Sequence, residues 1–325
     1  MSGFAGTSAL LYGMKLNSKK LLGRFLLSRG LLLVLLELTI IRFEWTFNFN
    51  YAAFTLAGVI WMLGWCMVIM AALVQLNALW VGIIGVAIIA FQQIFHYVPG
   101  LFPASAQQPV GEIWSFFYPC GVEQEHIAIL YVLIPWIGVM AAGYGFGKII
   151  LLLPDRRKRI CLITGLSAIA IFLVAGIITL LSQTPAPDAP PFIFRLLNQQ
   201  KYPPSQLFLM MTIGPLIALV PFAEKARGWI ADTLSMFGKV PFFFYLAHIL
   251  LIHITALLVN LIRAGQAHQD WYNTAPYTRL PEPSRWGLPW LYFIYLIDMV
   301  LLYFICRWYA YYKFKHPEKK LLKYI

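Results

Sequence analysis

The 325-residue chain is 60% hydrophobic and only 12% charged, with a mean hydropathy of +0.72 and a net charge of +12. A water-soluble domain is nearer half apolar and a quarter charged, so these figures exclude one and describe a polytopic membrane protein. The excess of positive charge is then to be read from its placement along the chain, not as a footprint for nucleic acid.

Residues 1–13, MSGFAGTSALLYG, are apolar but only about half a span, since a membrane helix needs roughly 20 residues. They lack the basic start and the cleavage site of a signal peptide. They read as the exit end of a helix that begins upstream of Met1. Lys15, Lys19, Lys20, Arg24 and Arg29 form a basic hinge. The first full span follows at 26–43 and carries Glu37 in LLLVLLELTII. After the aromatic link FEWTFNFNY comes a second span at 53–74, a tight turn at 75–78 and a third span at 79–95.

Residues 96–126 form a long link without Lys or Arg, bearing Glu112, Glu123 and Glu125 and several aromatics. The fourth span, 127–146, ends in GYGFGK, and the charged run DRRKR at 155–159 precedes a fifth at 160–181. The sixth, 206–222, follows a proline-rich loop. Residues 224–238 read as a short amphipathic surface helix. The seventh span, 240–262, is VPFFFYLAHILLIHITALLVNLI, with two histidines, His248 and His253. A second aromatic loop, 264–287, leads to the eighth span, 288–308, which holds Asp298.

Charge placement orients these segments. With the basic hinge in the cytoplasm and sides alternating, 19 of the 25 Lys and Arg fall on the cytoplasmic side. The outer links hold the rest: Arg42, Arg195, Lys201, Arg263, Arg279 and Arg285. The fold expected is all-α: a polytopic bundle of eight full transmembrane helices plus an N-terminal half-helix, one domain over 1–325, with outer loops at 96–126 and 264–287 and the C-terminus inside.

Glu37, His248 and Asp298 each lie roughly ~12 Å deep, counted at helical rise. Ionisable groups at membrane depth are costly and face partners or wet cavities, so matched depth points to one polar centre. A simpler reading, in which each merely bonds a neighbouring helix, stands beside it. His248 and His253 are five apart and point roughly 140° away from each other, so they cannot chelate one metal as an i, i+4 pair does. His248 is preferred as a general base, and His253 reads as a packing or outer-side residue. The cysteines (Cys66, Cys120, Cys161 and Cys306) form no CxxC or Cys/His cluster, so neither a zinc site nor a disulfide is expected. DRRKR reads first as a topogenic cluster. Lys148, Arg156, Arg157 and Arg159 also suit the phosphates of an anionic cofactor on the cytoplasmic face.

Several stretches resemble a known family: FAGTSALLYG, FLLSRGLLLVLLELTIIRFEWTFNFNY, VLIPWIGVMAAGYGFGKI, YPPSQLFLMMTIGPLIAL and GKVPFFFYLAHILLIHI. They resemble bacterial membrane proteins that share the catalytic domain of heparan-α-glucosaminide N-acetyltransferase. The resemblance runs over nearly the whole chain. It implies a multi-pass acyltransferase of the bacterial inner membrane that takes acetyl from cytoplasmic acetyl-CoA, without a metal, and delivers it to a sugar outside. His248, in YLAH, matches a family histidine, and Glu37 and Arg29 match the bacterial pattern. The family's leading helix, with an Arg-Gly pair and a catalytic histidine beyond it, would precede Met1. The site expected in this chain is therefore His248, Glu37 and Asp298, with Lys148, Arg156, Arg157 and Arg159 on acetyl-CoA. The partners implied are the lipid bilayer, an acyl-CoA and a sugar-like acceptor, with a second copy of the chain as a further candidate and no nucleic acid. The rival readings are a proton-coupled transporter or flippase of an envelope precursor, in which the same groups relay protons, and a non-catalytic membrane fragment.

Overall fold

The computed structural model describes residues 1–52, 55–121, 127–265, 285 and 287–319. In chain order, α1 (Ser2–Leu16) and α2 (Lys19–Leu36) lead through a π-helical turn (Glu37–Ile41) into α3 (Arg42–Thr46). Strand β1 (Thr55–Ala57) precedes α4 (Val59–Leu73) and α5 (Ala78–Phe91), which runs on into a 3₁₀ segment (Gln92–Leu101). Then come α6 (Ala104–Trp114), β2 (Ile127–Ile129), α7 (Leu133–Ile150), α8 (Pro154–Leu181), the short α9 (Phe192–Leu197) and α10 (Gln206–Ala223). The chain closes with α11 (Trp229–Lys239), α12 (Pro241–Ala264) and α13 (Leu288–Lys315).

The protein is mostly helical, and among the described residues six stretches are long and apolar enough to cross a bilayer: Ala78–Leu101, Leu133–Ile150, Pro154–Leu181, Gln206–Ala223, Pro241–Arg263 and Leu288–Lys315. They correspond to six of the eight expected spans. The other two differ for physical reasons. The expected span at 53–74 begins only at Val59, because Thr55–Ala57 pairs as a strand with Ile127–Ile129. The same pairing delays the start of the span expected at 127–146. The helix that remains, α4, has 15 residues, fewer than the roughly 20 that cross a hydrocarbon core. The expected span at 26–43 is helical from Lys19 to Thr46, but the π turn interrupts it. Residue chemistry sets the ends of several helices. Asn77 and Ser205 accept bonds from the Leu79 and Phe208 amides at N-termini. Pro154 and Pro241 sit in first turns, where no amide proton is needed.

The chain packs as two compact units. The first holds Met1–Val34, Ala57–Glu125 and Ile129–Lys225. Its helices meet through small residues, as membrane helices do in the absence of a hydrophobic drive between them. The pairing of α1 with α7 shows why. A methyl group added at Gly6 would lie 2.0 Å from the Met140 carbonyl, and one at Gly143 would lie 2.1 Å from that of Gly3. At that spacing Thr7 Oγ1 donates to the Gly143 carbonyl at 2.8 Å, and Ser2 Oγ donates to that of Trp136 at 3.0 Å. The aromatics of the 96–126 link fold back onto the unit. Trp114 Nε1 donates to Phe95 O at 2.8 Å, Trp114 stacks on Phe117, and Phe116 meets Trp61.

The second unit holds Leu35–Leu56, His126–Ala128 and Ala226–Ile325. Here α11, α12 and α13 share a core of Val240, Cys306 and Tyr309 with Phe237, Phe243 and Phe244, and the Phe243 and Tyr309 rings stack at 3.8 Å. Helix α11 has no buried residue, in keeping with the amphipathic surface helix expected there. Most of the expected aromatic outer loop at 264–287 lies outside the described residues.

Candidate functional site

Helix α12 carries two polar stripes. His248 and Thr255 are seven residues apart, as are His253 and Asn260, and seven residues return a helix to within about 20° of the same direction. On the first stripe, Thr255 Oγ1 donates to Asp298 Oδ1 of α13 at 2.9 Å, and Asp298 is buried. His248 is half-buried. Its Nδ1 faces the carbonyls of Phe244 at 3.1 Å and Tyr245 at 2.5 Å, while its ring lies parallel to that of Phe244. A carbonyl only accepts, so Nδ1 carries the proton and Nε2 is left as the basic atom of the neutral ring.

The second stripe is enclosed. His253 is 7% exposed, its Nδ1 donates to the Glu44 carbonyl at 2.7 Å, and its ring stacks on Phe47 at 3.9 Å. Asn260 is buried below it. The sequence reading placed His248 in the centre and His253 outside it. The structure buries His253 as a packing residue and leaves His248 half-buried, since depth along a helix does not say which side faces the neighbours.

The partner of this second stripe is the α2–α3 helix around its π turn. Such turns recur at functional sites because the extra residue re-aims side chains. Here the Arg42 amide bonds the Glu37 carbonyl across it. Glu37 is 1% exposed, Glu44 is also buried, and the two carboxylates interact electrostatically. Among the described residues Glu44 Oε2 has no hydrogen-bond partner.

Arg42, which charge placement assigned to an outer link, is 1% exposed. Its guanidinium donates to Thr46 Oγ1 at 2.9 Å, to Asn48 Oδ1 at 3.1 Å and to the carbonyls of Asn48 and Asn50, and it lies over the Tyr51 ring at 4.4 Å. The FEWTFNFNY link is thus wound around one cation, which supplies donors to a segment with little secondary structure. Of the expected trio, Asp298 joins the His248 side through Thr255, and Glu37 joins Glu44, whose carbonyl meets the His253 side. Glu44 was missed, and the burial of Arg42 was not foreseen. The signal was available in Glu37 and Glu44, two carboxylates seven residues apart in an otherwise apolar helix.

The expected phosphate-binding residues lie in the first unit and divide into groups. Lys148 lines a cavity of about 320 Å³ where α1 turns into α2, with Asn17, Ser18, Lys19, Asn77 and Tyr144. Lys19 is already committed there, since its Nζ donates to the Gln75 and Leu76 carbonyls at 2.9 Å each. Arg157 donates to the carbonyls of Ile150 at 2.8 Å and Leu152 at 2.9 Å, and pairs with Glu224 at 2.7 Å. It fastens the α7–α8 turn to the end of α10. Arg156 and Arg159 are exposed. Among the described residues, no group of three or more His, Cys, Asp or Glu is placed to hold a metal.

The family model for heparan-alpha-glucosaminide N-acetyltransferase, catalytic, matches residues 3–197, more than half of the chain. The chain belongs to this family. Membership makes it a membrane protein of an acetyltransferase family, in agreement with its apolar helices. Within the acetyltransferase match lie Glu37, the π turn, the α1–α7 pairing, Lys148 and the DRRKR run. The match ends before α12 and α13, so His248, His253 and Asp298 stand on their geometry. No curated protein and no solved structure gives a significant match.

Proposed function

We propose that this protein transfers an acetyl group from cytoplasmic acetyl-CoA to an amine or hydroxyl of a sugar on the outer side of a bacterial inner membrane. In this reading eight helices cross the bilayer and the C-terminus lies in the cytoplasm. The observation that carries it is the family match together with polar side chains buried in apolar helices, foremost the His248–Thr255 stripe with Asp298 beside it.

Acetyl-CoA supplies an activated thioester and an anionic nucleotide end. Lys148 is the cation that fits the latter best. It lines a polar cavity, lies inside the matched region and, among the described residues, makes no hydrogen bond to a carbonyl, unlike Lys19 and Arg157. Arg156 and Arg159 add positive charge at the same end of the helices, where it attracts phosphate over a Debye length.

His248 is the proposed base. Its Nε2 takes a proton from the attacking amine or hydroxyl as the new bond to the acetyl carbon forms and the carbon–sulfur bond breaks. The proton then passes to the departing thiolate. Thr255 holds Asp298 against the same stripe, where its charge favours the imidazolium that forms. Glu37, beside Glu44 on the π turn, is proposed to act from the His253 side of the same helix, as a positioning residue.

Acetyl transfer by the purified chain tests this reading. His248→Ala is expected to lower the rate by about 10²-fold or more, the usual contribution of a positioned general base. If His248→Ala and Glu37→Ala both leave the rate unchanged, the assignment is wrong.

A further inference from the structure

Tyr131, Lys201 and Tyr202 form a cluster in the first unit that the proposed transfer does not use. The two tyrosine hydroxyls lie 3.3 Å apart, and their rings meet edge to face at 5.1 Å. Lys201 Nζ lies over both rings, 4.9 Å from the centroid of Tyr202 and 5.8 Å from that of Tyr131. Lys201 and Tyr202 are exposed, and Tyr131 is half-buried. Among the described residues no carboxylate pairs with Lys201.

The backbone holds these groups in place. Lys201 bridges Pro204 across a tight turn, and the Ser205 amide donates to the Gln200 carbonyl at 2.9 Å. Gln92 Nε2 fastens the turn to the end of α5 by donating to the Pro204 carbonyl at 2.9 Å. The Tyr131 ring leans on that of Trp136 at 5.8 Å.

Counting protons shows what the cluster has to spare. Two hydroxyls that bond each other use one O–H, so the second phenol keeps its proton to donate. The Lys201 ammonium carries three N–H donors, and an aromatic face attracts a cation without supplying a lone pair. The cluster is thus a cation with unused donors. It suits a ligand that brings negative charge and several acceptors at once, as a phosphate does.

Position in the chain names the source of that phosphate. Helix α7 starts at Leu133, two residues after Tyr131, and α10 starts at Gln206, four residues after Tyr202. Both helices are long and apolar enough to cross a bilayer, so the cluster sits where two spans leave the hydrocarbon, at the level of lipid headgroups. The loop that carries Lys201 also carries α9, whose Phe192, Ile193, Phe194 and Leu197 are exposed. Apolar side chains exposed at this level lie among acyl chains, while a lysine close by reaches out to the headgroups.

We propose that Tyr131, Lys201 and Tyr202 bind the phosphate of a phospholipid headgroup at the leading ends of α7 and α10. Lys201 supplies the charge and the spare phenol a second donor, so one lipid ties both helix ends to its leaflet. The site is separate from the acetyl-transfer reading and does not depend on it.

The test is native mass spectrometry of the full chain in detergent, titrated with phosphatidylglycerol. Lys201→Gln is expected to weaken binding about fivefold to tenfold, the effect of losing one charge-assisted bond. Tyr131→Phe combined with Tyr202→Phe keeps both rings, removes both hydroxyls and is expected to weaken it about fivefold. All three side chains are at the surface or half-buried, and the two variants are independent, so either reads the site if the other fails to fold. Arg263→Gln removes a different exposed cation, one outside the cluster, and should bind as the parent does. Diacylglycerol, which has the chains but no phosphate, should not bind saturably, and excess inorganic phosphate should not displace the lipid. Unchanged affinity in Lys201→Gln or in the phenylalanine pair would overturn the proposal, as would an equal loss in Arg263→Gln. Saturable binding of diacylglycerol, or displacement by inorganic phosphate, would overturn the lipid headgroup as the ligand.

Discussion

Replacing His253 with alanine separates the two histidines of α12 by their work. His253 donates to the Glu44 carbonyl at 2.7 Å and stacks on Phe47 at 3.9 Å with an interplanar angle of 11°. Removing the donor leaves a buried carbonyl unpaired, at about 1–3 kcal/mol. Losing the ring contact costs about 0.5–1.5 kcal/mol more. His253→Ala should therefore destabilise the protein by about 1.5–4.5 kcal/mol. The ring of His248 is half-buried and bonds the Phe244 and Tyr245 carbonyls of its own helix, so His248→Ala should cost about 1 kcal/mol or less. Equilibrium unfolding in detergent, followed by tryptophan fluorescence, measures both. His253→Phe keeps the stack and loses the donor, so it should fall between parent and alanine. If His253→Ala unfolds at the parent's midpoint, the enclosed stripe is not what holds α12 to α3.

Three further substitutions, two of them with a control variant, probe other parts of the molecule. Gly6→Leu places atoms where the Met140 carbonyl already lies 2.0 Å from a Cβ, so α1 should detach from α7. Gly100→Ala, with nothing within 4 Å, should leave thermal stability unchanged as its control. Arg42→Met leaves the Asn48 and Asn50 carbonyls without their donor and should cost about 3 kcal/mol or more by the same unfolding assay. Lys148→Ala should weaken acetyl-CoA binding about fivefold to tenfold by calorimetry, the effect of losing one charge-assisted bond, whereas Glu224→Gln should not, since it touches only the Arg157 pair.

How much of this was legible in the sequence depends on what each feature needs. Apolar length needs only local information, and it located the six stretches that can cross a bilayer. It overran at residues 55–58 and 127–132, where short apolar runs such as Thr55–Ala57 and Ile127–Ile129 pair with each other as strands. Periodicity alone does not separate a short strand from a helix end. The polar centre was legible as a set of ionisable residues in apolar helices, but its facing was not. His248 and His253 sit about 140° apart on one helix, and only the neighbouring helices decide which is enclosed. The α3 segment was the larger loss. Arg42 and Glu44 lie where a span gives way to a link, and charge counting assigned Arg42 to the aqueous side. Tertiary contacts instead fold the link back around it. The cluster of Tyr131, Lys201 and Tyr202 was invisible because its two tyrosines are 71 residues apart, joined by the contact of their hydroxyls.

The measurement that bears most directly on the account uses proteoliposomes carrying the purified chain in one orientation. Radiolabelled acetyl-CoA is supplied on the side of the C-terminus, and glucosamine only on the opposite side. Labelled N-acetylglucosamine is expected on the glucosamine side, reduced about 10²-fold in His248→Ala, whose stability should stay within about 1 kcal/mol of the parent's. Transfer at an unchanged rate in His248→Ala, or label appearing only when both substrates share one side, would contradict it.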